Sequence, residues 1–212
     1  MTRPRPAAAA SLLAALTLFL SAPAIRAQQP GPQAGQAGYP TDLYYVVTPD
    51  QLIRQAVDRL TGFLAADPEA SPGVVLDFVT REIAPYFDFP YMAQWAAGPL
   101  LHRLDPGQRA ALGEQLQEMF LEALARNLGS IERPLPRVEI FPARPGQSMN
   151  DAVVYARVWR AGMQTRLEFR FYWTGFDWKV YDAAANGASA VAYYRRYFGT
   201  MLRRHGPDAL LH

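Results

Sequence analysis

The chain has few residues suited to covalent or acid–base chemistry, and their spacing works against it. Its three histidines, His102, His205 and His212, form no His-Glu-x-x-His pair or other metal-ligand spacing, and there is no cysteine. Ser189 follows Gly187-Ala188 without the second glycine of a nucleophile elbow, so it reads as a helix cap. Asp88 and Asp182 could pair as acids, yet each sits where a cap or turn is expected. No glycine-rich phosphate loop occurs. The expectation is a protein that is not an enzyme, with no catalytic residue, no metal and no cofactor. What the chain offers instead is apolar and aromatic surface near its end: Trp178-Lys179-Val180-Tyr181-Asp182, then Gly187-Ala188-Ser189, then Tyr194-Arg195 and Phe198. That pattern fits an aromatic strand, a tight turn, and a helix with an apolar stripe and an arginine edge. It suits a greasy cavity closed by a helix, and it equally suits a filled core.

The elements that must hold this surface can be read from the period of the apolar residues. Thr48-Pro49-Asp50-Gln51 opens a helix, and Leu52, Ile53, Ala56, Val57, Leu60, Phe63 and Leu64 follow at helical spacing. Ser71-Pro72 begins a second helix that Pro85 ends. Asp88 caps a short third one that stops near Gly98-Pro99. Asp105-Pro106-Gly107-Gln108 begins a long fourth, with Gly129 as its stop. After Pro134 and Pro136 the period changes to two. Four strands are predicted, over 138–142, 153–160, 164–173 and 178–185, with Ala161-Gly162 and Thr174-Gly175 as turns. Leu167, Phe169, Phe171 and Trp173 share one face of the third strand, and Arg166, Glu168, Arg170 and Tyr172 the other. A last helix covers 189–204. Helices first, then an antiparallel sheet, then a closing helix argue an α+β fold with helices packed on one sheet face.

A chain of 212 residues, half of them hydrophobic, supports one domain with a substantial core. Residues 1–27 read as a secretory signal peptide: Arg3 and Arg5 precede an apolar run from Ala7 to Leu20, and small residues follow at Ala22, Ala24 and Ala27. Residues 28–45 read as a flexible leader rich in Gln, Pro, Gly and Ala, which leaves 46–212 as the single folded domain. Cleavage removes Arg3, Arg5 and Arg26 from 21 basic residues and leaves 18 against 19 acids, a net charge of about −1. A nucleic-acid role then lacks its electrostatic basis. No later apolar run reaches the length of a membrane span, so the expected location is the periplasm.

Three stretches resemble the MlaC / toluene-tolerance family. Phe87-Asp88-Phe89-Pro90-Tyr91-Met92-Ala93, closing at Gly98, is similar to its "FDFxxMA…G" segment. Asp105-Pro106-Gly107-Gln108-Arg109 is similar to its "TPEQR"-like helix start. Trp178 to Asp182, Gly187, Ser189, Val191, Tyr194-Arg195 and Phe198 are similar to its "WKVYDv…GVSLVxNYRxxF" ending, with Ala188, Ala190 and Tyr193 as departures. The resemblance implies a twisted antiparallel sheet wrapped by helices, with the acyl chains of a phospholipid buried between them. It implies a shuttle between an outer-membrane lipoprotein–porin complex and an inner-membrane ABC transporter bearing MCE domains. One branch, the hopanoid-associated HpnM proteins, goes with polycyclic lipids, and a protein-only adaptor with a filled core is the remaining alternative. Periodicity and the resemblance together place the apolar lining on Phe89, Met92, Trp159, Phe169, Phe171, Tyr181, Tyr194 and Phe198, and headgroup or partner contact on Arg195 and Arg196. A two-chain lipid calls for a pocket at or above the usual ~1,000 Å³.

Overall fold

Four of the five α-helices among the described residues begin on a side chain that accepts from a free N–H of the first turn. The computed structural model describes residues 47–131 and 133–211. The expected signal peptide and leader lie outside the described residues. Helix α1 is Pro49–Ala66, and the Gln51 side chain accepts from the Thr48 N–H at 2.9 Å. Helix α2 is Pro72–Phe78, opened by Ser71. In α3, Phe89–Ala97, Asp88 accepts from the Tyr91 N–H at 2.8 Å. In α4, Pro106–Gly129, Asp105 and Gln108 cap each other's N–H groups at 2.8 and 3.0 Å. In α5, Ala190–His205, Ser189 accepts from the Ala192 N–H at 3.0 Å.

The second helix departs from its predicted run to Pro85. Regular α-helix ends at Phe78, a π turn covers Val79–Ile83, and a 3-10 turn covers Ala84–Tyr86. Pro85 has no N–H, and its ring cannot lie against the carbonyl four residues back, so the ladder widens before it.

The strands are β1 Arg137–Ile140, β2 Arg144–Pro145, β3 Asp151–Arg160, β4 Met163–Trp173, β5 Trp178–Ala185 and β6 Ala188–Ser189. They form one antiparallel sheet in the order β1-β3-β4-β5-β6, with β2 also on β3. Sequence periodicity gives about four strands. The two extra ones have two residues each, too short to display a period. Ala161 and Gly162 join β3 to β4 with φ of 49° and 78°, the left-handed pair that a two-residue hairpin requires.

One irregularity sets what each sheet face carries. Phe171 faces Val180 across the ladder, but the next partner of Arg170 is Asp182, so Tyr181 is an unpaired bulge. The bulge flips the alternation of β5. Before it, Trp178 and Val180 share the inner face with Trp173 and Phe171. After it, Ala183 and Ala185 lie opposite Phe169 and Leu167 on that face, and Asp182 turns outward to lie 3.7 Å from Arg170.

The apolar core is split. One cluster joins α2 to α5 through Val75, Met92, Leu112, Leu116 and Phe198. The other joins the first turn of α1 to the inner sheet face through Ile53, Ala152, Val154, Phe171, Trp178 and Val180. Phe87 packs against both, and its backbone runs parallel to Val180 in a bridge extended by the Asp88 N–H to Val180 carbonyl bond of 2.9 Å.

Candidate ligand cavity

Two clusters that do not merge leave space between them. That space is a cavity of about 250 Å³, taken as the volume open to the centre of a water-sized sphere. It is below the size expected from the sequence, yet larger than the ~150 Å³ apolar cavity that stays dry and accepts benzene. Its sheet wall is Val138, Ala156, Val158, Leu167, Phe169, Val180 and the run Ala183–Ala185. Its helical wall is Phe120, Leu124 and Leu128 of α4 with Ala190 and Tyr194 of α5. Ile83, Tyr86 and Phe87 close one end, and Ile131, Leu135 and Pro136 lie along the other. The remaining wall is one face of α1: Ile53, Ala56, Val57, Leu60, Thr61 and Leu64.

Helix α1 differs from the other long helices in how it is held. Among its residues only Pro49 and Ile53 are buried. Its fastenings lie at its margins. Arg54 donates to the Ile140 carbonyl at 2.9 Å, Arg59 pairs with Glu82 at 2.7 Å, and Phe63 stacks on Phe78 at 4.1 Å. At its C-terminus Arg133 donates to the Ala65 carbonyl at 3.1 Å, satisfying a group the helix leaves free. By contrast, α3 buries Phe89, Met92, Ala93, Ala96 and Ala97.

Of the eight residues expected to line the cavity, Phe169 and Tyr194 are on its wall. Phe89 lies one layer behind, its ring 5.5 Å from Phe87 and 5.6 Å from Phe120. Met92 and Phe198 are fully buried in the helical cluster. Phe171 is 0% exposed and backs the floor formed by Ile53 and Val180. Trp159 is on the outer sheet face under the Arg137 guanidinium. Tyr181, as the bulge, packs with Tyr91, Trp95 and Tyr172 away from the cavity. Arg195 donates to the Trp95 carbonyl at 3.1 and 2.6 Å and so fastens α5 to the end of α3. Arg196 is exposed on α5. Neither arginine is on the cavity wall.

The wall residues that sequence reasoning missed include those of α1, Phe120, Leu124 and Leu128 of α4, Ile131, Leu135 and Pro136, and the alanines. The α1 stripe was visible as a period, but a stripe facing a cavity and one facing packed side chains have the same period. Ala188 and Ala190 stood out as small where larger aliphatics are usual. Both border the cavity, together with Ala183, Ala184 and Ala185.

The two aspartates are engaged in structure. Asp88 caps α3 and also accepts from the Tyr172 hydroxyl. Asp182, 3% exposed, accepts from the Ser189 hydroxyl at 2.7 Å and the Val191 N–H at 3.0 Å. Burial raises its pKa above the usual carboxylate value, while those hydrogen bonds and Arg170 pull it back. Burial likewise pushes the Tyr194 hydroxyl up. Among the described residues no group of three or more His, Cys, Asp or Glu is placed to hold a metal ion, and no helix is long and apolar enough to cross a membrane.

The sequence profile described as "MlaC protein" matches residues 54–212. Among solved structures, the phospholipid-binding protein from Ralstonia solanacearum, determined in complex with a phospholipid, aligns with a TM-score of 0.68 at 23% identity. The alignment covers 77% of this chain and 92% of that one. At this identity the likeness is one of fold, and it carries the α+β architecture with an open antiparallel sheet. The profile spans well over half of the sequence, and the chain belongs to the MlaC protein family.

Proposed function

We propose that this protein is a periplasmic lipid carrier, exported by a cleaved signal peptide, which holds the acyl chains of a phospholipid between sheet and helices and shuttles it between outer and inner membranes. The observation that carries the reading is the division of the apolar core into two clusters with a carbon-walled cavity between them. Membership of the MlaC family and the phospholipid held by the Ralstonia protein of the same fold support it. The partners are an outer-membrane lipoprotein–porin complex and an inner-membrane ABC transporter with an MCE-domain protein. Binding, not catalysis, is the activity.

The physical need is plain. Two acyl chains carry about 30 methylene groups, and exposing them to water costs on the order of 24 kcal/mol at ~0.8 kcal/mol each. Free diffusion across an aqueous space is therefore excluded, and a carrier must replace nearly all of that contact. A pair of chains also needs more room than the cavity offers, so one wall must give. One way to give would be movement of the helices at 89–98 and 190–204. The packing of α3 and α5 opposes this, since both bury their inner residues in the helical cluster. Helix α1 is the wall held mainly at its edges, and its outward movement would admit a lipid.

Five alanines of the cavity wall, Ala183, Ala184, Ala185, Ala188 and Ala190, favour a second reading, a rigid polycyclic lipid such as a hopanoid. Native mass spectrometry of the protein exported in bacteria tests both. A phospholipid mass on the chain is expected, a polycyclic mass supports the second reading, and a bare chain overturns both.

A further inference from the structure

The cavity wall carries three side-chain hydroxyls, on Thr61, Tyr86 and Tyr194. Thr61 Oγ1 lies 2.8 Å from the Val57 carbonyl and 3.1 Å from that of Asp58, so its proton is engaged within α1. Tyr86 is half-buried and reaches solvent. Tyr194 is different. Its side chain is 4% exposed, and its hydroxyl makes no hydrogen bond among the described residues. No fully enclosed side-chain oxygen or nitrogen there lacks a partner, so a hydroxyl without one opens onto free volume. Tyr194 is a wall residue of the cavity, so the free volume within reach of its side chain includes that cavity.

The ring cannot easily turn away. It meets Tyr193 edge-on at 5.2 Å and stacks on Phe198 at 6.1 Å. The charged group on the adjacent helix that acts on the phenol is Arg126, which is paired with Glu122 at 3.1 Å. A tyrosine phenol is protonated at neutral pH and burial moves it further in that direction, so it stands as a donor. A buried donor facing carbon walls calls for an acceptor. Acyl methylenes cannot supply one, whereas the ester carbonyl at the head of each chain can.

We infer that the Tyr194 hydroxyl is the specificity-determining group of the cavity: it donates to an ester carbonyl of the bound lipid and so selects ester-linked over ether-linked chains. This rests on the lipid-carrier reading. The Tyr193 that precedes it packs its ring against Tyr194, which makes the residue at 193 a support for the donor.

The test is a competition. Wild-type protein and Tyr194→Phe are each incubated with vesicles of equal amounts of a diacyl phosphatidylcholine and its dialkyl-ether analogue of the same chain length. Bound lipid is extracted from re-isolated protein and the ester-to-ether ratio is measured by mass spectrometry. Wild type is expected to favour the ester by about 2- to 12-fold, the range that one neutral hydrogen bond contributes net of water. Tyr194→Phe is expected to bring the ratio to about one, with the loss falling on the ester lipid and ether-lipid capture kept. A wild-type ratio near one overturns the inference even if the variant fails to fold, and would mean that water satisfies the hydroxyl. A variant that keeps the wild-type ratio overturns it as well. Capture of neither lipid by wild type defeats the carrier reading itself, an outcome distinct from capture without preference.

Discussion

Ala156→Leu separates a cavity that holds cargo from an incidental void, because the two effects it should have are of opposite sign. Ala156 is on β3, opposite Ile140 on β1 and Leu167 on β4, and it borders the cavity. Leucine adds three carbons that project into free volume. If acyl chains fill that volume, about three lipid methylenes are displaced, and at ~0.8 kcal/mol each the affinity falls by about 2.4 kcal/mol, roughly 50-fold. The delipidated protein gains the same apolar contact, up to about 2.4 kcal/mol, which for a domain of this size raises its melting temperature by about 5–10 °C. That figure is an upper bound, since unfolded chains already hide part of their apolar surface. The assay is a melting curve of delipidated protein beside displacement of a fluorescent phospholipid. A lower melting temperature with unchanged lipid affinity would refute the reasoning: the added carbons would be overpacking a site that cargo does not use.

Two further outcomes follow from how the walls are held. Arg133→Ala removes the donor to the end of α1, so amide exchange around Leu64 and Ala65 should quicken, and lipid transfer between vesicles should speed up about 2- to 10-fold with little change in melting temperature; unchanged transfer would mean that α1 is not the moving wall. Asp182 has a folded pKa above the ordinary aspartate value of 3.8 because it is buried, so between that value and its folded pKa the folded state binds more protons than the unfolded one. Its contribution to stability therefore falls as pH rises through that window, and the stability of wild type relative to Asp182→Asn, by urea unfolding from about pH 3 to pH 7, should decline in the same direction. A difference that grows with pH would show the hydrogen bonds from Val191 and Ser189 outweighing burial.

The order of elements was legible because each boundary has a local cause. Thr48, Ser71, Asp88, Asp105 and Ser189 all stand at helix starts, and four of them accept a first-turn N–H. Ala161-Gly162 takes the left-handed pair its turn demands. The cavity lining was less legible. Phe171 and Phe169 have the same period, face and residue type, yet one is floor packing and the other is wall. What separates them is that Phe171 is buried in the cluster that holds Ile53 of α1 while Phe169 is only partly buried against it, a tertiary fact with no trace in a strand's alternation. Asp182 leaves the face that regular alternation from Val180 would give it because of the bulge, and a one-residue insertion in the ladder leaves no mark on composition.

The same bulge accounts for why the hollow can exist beside a charged residue. Regular alternation from Val180 would aim Asp182 at the cavity and turn Ala183 out. With Tyr181 as the extra residue, the carboxylate instead goes to the Arg170 side and fixes the first turn of α5 through Val191 and Ser189. The inner face then carries Ala183 and Ala185, whose methyl groups are too short to reach α4 across the gap. Phe87 bridges the gap by packing on both clusters. Cavity and anchor therefore have a common origin: the register shift that empties the wall also supplies the buried acceptor that holds α5, and Tyr194 on that helix, against it.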